Sequence, residues 1–123
     1  MISVLPCYDS QVVKELFENH NLEINDNSGC VIARSGELVL GYCLYDLTQK
    51  GITVRELEPK SDLSLADGIL RSALHVAAER SAMDARYSDT APEDIFKKLD
   101  FIVSAEEKTL NINKLFGGCN CKK

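Results

Sequence analysis

Residues 51–81, GITVRELEPKSDLSLADGILRSALHVAAERS, restrict the fold of this chain more than any other stretch. They open with a run of strand type, Ile52, Thr53, Val54, Arg55, Glu56 and Leu57. Pro59 then cuts the run, because proline can neither donate to a sheet ladder nor extend a helix interior. A helix follows: Ala66, Ile69, Leu70, Ala73, Leu74 and Ala77 recur at the i, i+3, i+4, i+7 spacing of one buried face, and Asp67, Arg71, His75 and Glu79 fall on a polar stripe. Ser64 stands three residues before Asp67 as a variant capping box, with Asp62 close by. A strand feeding directly into a helix start leaves free N–H groups at the positive end of the helix dipole, which makes residues 61–68 the leading candidate for an anion-binding site.

The flanking segments assemble around that unit. Residues 1–6 form a short apolar strand, and Asp9 or Ser10 caps a helix carrying Val12, Val13, Leu16 and Phe17 at helical spacing. Residues 19–29 are polar and turn-rich and read as a loop. Residues 30–34 and 38–46 are strand-like and joined by the tight turn Ser35-Gly36-Glu37; a second turn at 48–51 leads into 52–57 and completes a three-strand antiparallel meander. Gly41, inside the second of these strands, marks a bulge or the close approach of another group. Beyond the main helix, residues 83–88 form a short strand, Pro92 starts a second helix with Ile95, Phe96 and Leu99 as its apolar side, and 101–104 and 108–113 form a last hairpin. The order β, α, β, β, β, α, β, α, β, β defines an α+β class with a central mixed, mostly antiparallel sheet flanked by helices.

With 123 residues, 45% of them apolar and 27% charged, the chain has the size and composition of one soluble domain. No run approaches the roughly 20 apolar residues that span a bilayer, and the amino terminus lacks a basic and then apolar leader, so a cytoplasmic location is expected. A net charge of −5 excludes nucleic acid and anionic membranes as natural partners, since phosphate binding rests on clustered Lys and Arg. Five cysteines, at 7, 30, 43, 119 and 121, show no disulfide framework; Cys30 and Cys43 read as small buried hydrophobes.

The element order, with Gly41 in the third strand, Leu57-Glu58-Pro59 closing the fourth, Gly68 in the first turn of the long helix and residues 95–101, IFKKLDF, at the second helix, resembles the GNAT superfamily of acyl-CoA-dependent N-acyltransferases. The resemblance extends over residues 30–102 and makes 1–113 a single GNAT-like domain, with 114–123 as a tail. It implies a fourth strand that bulges and parts from the fifth to hold the pantetheine arm, with a strand N–H, at Leu57, facing the thioester. It implies further that the pyrophosphate of acetyl-CoA or another acyl-CoA, the co-substrate, meets backbone amides of Leu65, Ala66, Asp67, Gly68, Ile69 and Leu70. The acceptor would be a small-molecule or peptide amine, and a homodimer is compatible with the sequence. The chain departs from the family pattern at Leu65, which cannot reach a phosphate, at Leu70, which is bulky where close approach is expected, and at Asp67, which puts negative charge beside the anion site. Phe96 stands where the family often has a proton-donating tyrosine, and Asp100 precedes Phe101 where a glycine is customary.

For the chemistry, Glu56 is the candidate general base, with Glu58 a weaker one; a base there needs burial to lift its pKa. The competing account makes both glutamates solvated strand-edge charges partnered by Arg55 and Lys60. Tyr87 is the candidate acid in place of Phe96, against packing with its hydroxyl at the surface. Tyr42 and Tyr45 read as packing residues, His75 as an exposed partner of Arg71 and Glu79, and His20 as a loop residue without a second metal ligand. Cys119 and Cys121, between glycines and two lysines, are candidate metal or redox thiols and supply half of a tetrahedral zinc shell. The leading expectation is therefore acyl transfer from acyl-CoA to an amine; the alternative is a non-catalytic interaction, metal or redox module that uses the Cys119/Cys121 tail.

Overall fold

The computed structural model describes residues 2–115. In chain order these form β1 (Ile2–Cys7), α1 (Ser10–Asn19), β2 (Ser28–Ser35), β3 (Leu38–Leu47), β4 (Gly51–Glu58), α2 (Leu63–Glu79), β5 (Asp84–Tyr87), α3 (Glu93–Lys98), β6 (Ile102–Ser104), β7 (Thr109–Leu110) and a 3-10 turn, Ile112–Leu115. One seven-stranded sheet runs in the order β1-β2-β3-β4-β5-β7-β6. Every neighbouring pair is antiparallel except β4 and β5, which are parallel because α2 carries the chain back across the sheet between them. The class is mixed α+β.

Alternation along the strands divides the apolar residues between two layers. On one face Val31, Ala33, Cys43, Tyr45, Ile52, Val54 and Leu57 pack beneath Ala66, Ile69, Leu70, Ala73, Leu74 and Ala77 of α2. On the other, Cys30, Ile32 and Leu44 meet Val13 and Phe17 of α1 together with Leu22. Cys30 and Cys43 are fully buried, as small hydrophobes are expected to be.

Two features set β4 apart from the other strands. Val54 pairs with Tyr45 and Glu56 with Leu44, so Arg55 is an extra residue between two rungs of the ladder, a β-bulge. Pairing with β5 then stops: it covers Gly51↔Asp84 through Val54↔Tyr87 and no further, while β4 itself continues to Glu58. Beyond the last rung the two chains are linked by the Ser88 N–H, which donates to the Val54 carbonyl at 2.9 Å, and by the Thr90 hydroxyl, which donates to the Arg55 carbonyl at 2.7 Å.

Gly41 marks a close approach, as the sequence predicts. A Cβ there would lie 2.5 Å from the Glu58 carbonyl oxygen and 2.6 Å from Pro59 Cδ. The end of β4 therefore rests on the bare backbone of β3.

Several boundaries differ from expectation. The α2 cap is Asp62, whose carboxylate accepts from the Leu65 N–H at 3.1 Å; Ser64 is already inside the helix. Pro92 occupies the cap position of α3 rather than its first turn. The strand predicted at 83–88 spans only Asp84–Tyr87, and β7 is reduced to two residues because the turn before it takes up Lys108 with positive φ. Among the described residues no helix is long and apolar enough to cross a membrane.

Candidate functional site

The bulge decides where the carboxylates of β4 go. Ile52 and Val54 face α2; Arg55 and Glu56 both turn to the α1 face; Leu57 returns beneath α2. Arg55 lies over the Phe17 ring at 6.0 Å and donates to Asp46 Oδ2 at 2.8 Å. It is thus fixed in structure and leaves the two glutamates to other partners, which corrects its expected pairing with them.

Glu56 is only 8% exposed and is the one buried charged residue among those described. The reading of it as a solvated edge charge is overturned. Its Oε1 accepts from the Leu57 N–H at 2.9 Å and lies 3.2 Å from Lys60 Nζ; its Oε2 lies 3.4 Å from His20 Nδ1. Glu58, at the surface, takes the Lys60 ammonium at 2.6 Å. Burial pulls the Lys60 pKa down, but hydrogen bonds and attraction from Glu58 and Glu56 outweigh it, and the ammonium form is favoured.

His20 and Tyr42 complete the cluster, and neither is expected there from the sequence. His20 is the residue that ends α1, its N–H donating to the Phe17 carbonyl at 3.1 Å, and its Nε2 stands 2.6 Å from the Tyr42 hydroxyl. With the Nδ1 proton toward Glu56, Nε2 accepts from that hydroxyl, giving a line Tyr42, His20, Glu56 in which a proton can be passed. Burial first, then Glu58 and Glu56, raise the Tyr42 pKa, so the phenol keeps its proton. Tyr42 is therefore more than a packing residue. The one signal for it is that Tyr42 and Leu44 sit opposite Glu58 and Glu56 in the ladder, but that register exists only once the bulge is known.

Tyr87 ends the paired part of β5. Its ring is 2% exposed, packs against Phe96 with centroids 5.0 Å apart, and its hydroxyl donates to Glu93 Oε2 at 2.6 Å. The surface position expected as the alternative is thus corrected to a buried one. Burial, then the Glu93 carboxylate, push its pKa up to about 12, while the same hydrogen bond holds Glu93 below its ordinary value. Glu93 lines a groove of roughly 490 Å³ with Lys60, Pro92, Asp94, Ile95 and Lys98, where the end of β4 meets the start of α3.

The residues predicted to cradle a pyrophosphate occupy the first turns of α2. Ala66, Ile69 and Leu70 point into the core, so the bulk of Leu70 faces inward rather than toward a ligand. Leu65 is half-buried against the same core. Asp67 is engaged by Arg71, Nε to Oδ2 at 3.0 Å, which offsets its negative charge on the helix surface. Gly68 is exposed, and a Cβ there would meet nothing within 4 Å. A glycine inside a helix costs about 1 kcal/mol relative to alanine, and no packing among the described residues requires it. Leu57, whose N–H was expected to face a thioester, donates that N–H to Glu56 instead.

His75 pairs with Glu79 at 3.4 Å on the exposed side of α2, as expected, while Arg71, its other expected partner, is taken by Asp67. Among the described residues no group of three or more His, Cys, Asp or Glu side chains is placed to hold a metal ion. Cys119 and Cys121 lie outside the described residues. No protein-family model matches the chain, and no curated protein matches it.

Proposed function

We propose that this protein is a GNAT-like N-acyltransferase that moves an acetyl or other acyl group from acyl-CoA to a small-molecule or peptide amine. The reading rests chiefly on β4: a bulge at Arg55, the loss of its β5 partner after Val54, and a buried carboxylate, Glu56, on the first residue beyond the bulge. A strand that has parted from its neighbour, alongside a held base, is what direct attack on a thioester requires.

In this reading the part of β4 beyond its β5 pairing holds the acyl-pantetheine arm, and the first turn of α2, just before Gly68, receives the phosphates at the positive end of the helix. Glu56 accepts the proton of the incoming ammonium. The free amine then attacks the thioester carbonyl, the C–S bond breaks, the attacking nitrogen gives up its second proton to water, and the CoA thiolate takes up a proton. His20 steadies the ionised carboxylate, and Tyr42 fixes the far side of the imidazole. Tyr87 is the candidate donor to the thiolate; with a pKa of about 12 it keeps its proton through the neutral range.

Calorimetric titration with acetyl-CoA tests the reading, with measurable heat expected for the wild type and little for Gly68→Leu, whose side chain would cover the exposed turn. Absence of heat in the wild type overturns it. In an acyl-transfer assay, Glu56→Gln is expected to lower kcat about a hundredfold, the lower range for loss of a general base.

A further inference from the structure

We propose that Lys60 is itself an acyl acceptor, so that the protein acylates its own chain at the end of β4; this rests on the acyltransferase reading above. Lys60 follows Glu58 by two residues, and its side chain folds back along β4 until Nζ stands 3.2 Å from Glu56 Oε1 and 2.6 Å from Glu58 Oε1. Among the described residues it is the one lysine whose ammonium contacts the buried carboxylate. It is also 47% exposed and lines the groove between β4 and α3, so an acyl donor lying along the unpaired strand meets it from the solvent side. The amine thus occupies the position that the mechanism assigns to an acceptor, beside the group that takes its proton.

The step balances without any further reagent. The Lys60 ammonium gives a proton to Glu56, the free Nζ attacks the acyl-CoA carbonyl carbon, an N–C bond forms and the C–S bond breaks. Coenzyme A leaves as the thiolate, which takes up the second proton shed by the attacking nitrogen, and Glu56 returns its own proton to solvent. The product is an amide with no charge, so the chain loses one positive charge and Glu56 keeps His20 as its remaining basic neighbour. Because the amine is held as ammonium by Glu56 and Glu58, with His20 and Tyr42 the other titratable groups around Glu56 and with Glu93, Asp94 and Lys98 of α3 lining the same groove, self-acylation quickens as the pH rises.

The wild-type protein is incubated with acetyl-CoA, digested, and its lysines are compared by peptide mass spectrometry, with binding followed separately by calorimetry. One acetyl group per chain is expected on Lys60, formed at a rate per chain that does not change on dilution. It should form far faster than on Lys98, which lines the same groove without touching Glu56. Glu56→Gln should slow labelling of Lys60 about a hundredfold and leave Lys98 unchanged. Lys60→Arg should bind acetyl-CoA and show only the slow background at the other lysines. Acetyl-CoA binding with Lys60 labelled no faster than Lys98 overturns self-acylation and leaves the acyltransferase reading intact; no binding at all overturns both.

Discussion

The two halves of β4 follow opposite rules. From Gly51 to Val54 the strand is paired with β5, and from Ile52 also with β3; it alternates cleanly and sends Ile52 and Val54 into the layer beneath α2. From Arg55 to Glu58 it has a partner only in β3, places two charged residues in succession on the α1 face, and ends in a carboxylate cluster with His20, Tyr42 and Lys60. The first half anchors the sheet and tolerates little change. The second leaves backbone groups without a sheet partner and spends a buried charge, which packing alone would not favour. Proteins keep such local costs where the site itself is put to use.

Substitutions should separate the halves by size of effect. The largest is expected for Gly51→Ala: the new Cβ would sit 1.8 Å from the Asp84 carbonyl oxygen, and neither backbone can retreat without breaking the parallel ladder. A loss of about 3 kcal/mol, read from the urea midpoint, is expected. A midpoint equal to that of wild type would mean that the first half is not tightly zipped. Glu56→Gln comes next, at about 1 kcal/mol, because glutamine still accepts from the Leu57 N–H but no longer attracts Lys60 and His20. A cost matching that of Gly51→Ala would erase the distinction between the halves.

Tyr87, on the last rung, sharpens the comparison through pH. Its folded pKa of about 12 lies above its ordinary value of 10.0, so the neutral phenol is favoured in the fold. Its stabilising contribution is complete below pH 10.0 and is lost as the pH rises from there to about 12. Ultraviolet titration should show a tyrosine transition near pH 12 that is missing in Tyr87→Phe, and the variant's stability should fall less steeply over that alkaline window. If Tyr87→Phe instead removed a transition at the ordinary value, the ring would not be buried. The smallest effect belongs to His75→Ala, far from β4 on the exposed side of α2, where loss of the Glu79 partner should move stability by less than about 0.5 kcal/mol. A larger change would show that the helix surface is coupled to the site.

Much of the framework is legible in the sequence because it is periodic. The helical spacing of Ala66, Ile69, Leu70, Ala73, Leu74 and Ala77, the meander between the turns at 36 and 48–51, and the close approach at Gly41 all follow from patterns that local chemistry enforces. What escapes is non-local. Whether Glu56 is buried depends on a bulge that shifts the facing of one strand by a single residue, and period-two reasoning cannot see such a shift. His20 enters only because the end of α1 is carried over β3 and β4, twenty-two residues from Tyr42 in sequence. The cap of α2 escapes for a smaller reason: Asp62 and Ser64 both suit the role, and the chain uses the one nearer Pro59.

The additional residue at position 55 has a meaning apart from its side chain. With Arg55 and Glu56 on the same side, the core-facing positions before and after it are those that a regular strand one residue shorter would present. Nothing in either apolar layer therefore calls for it. What it contributes is curvature. A chain lacking that residue would offer the same oily contacts on a straighter strand.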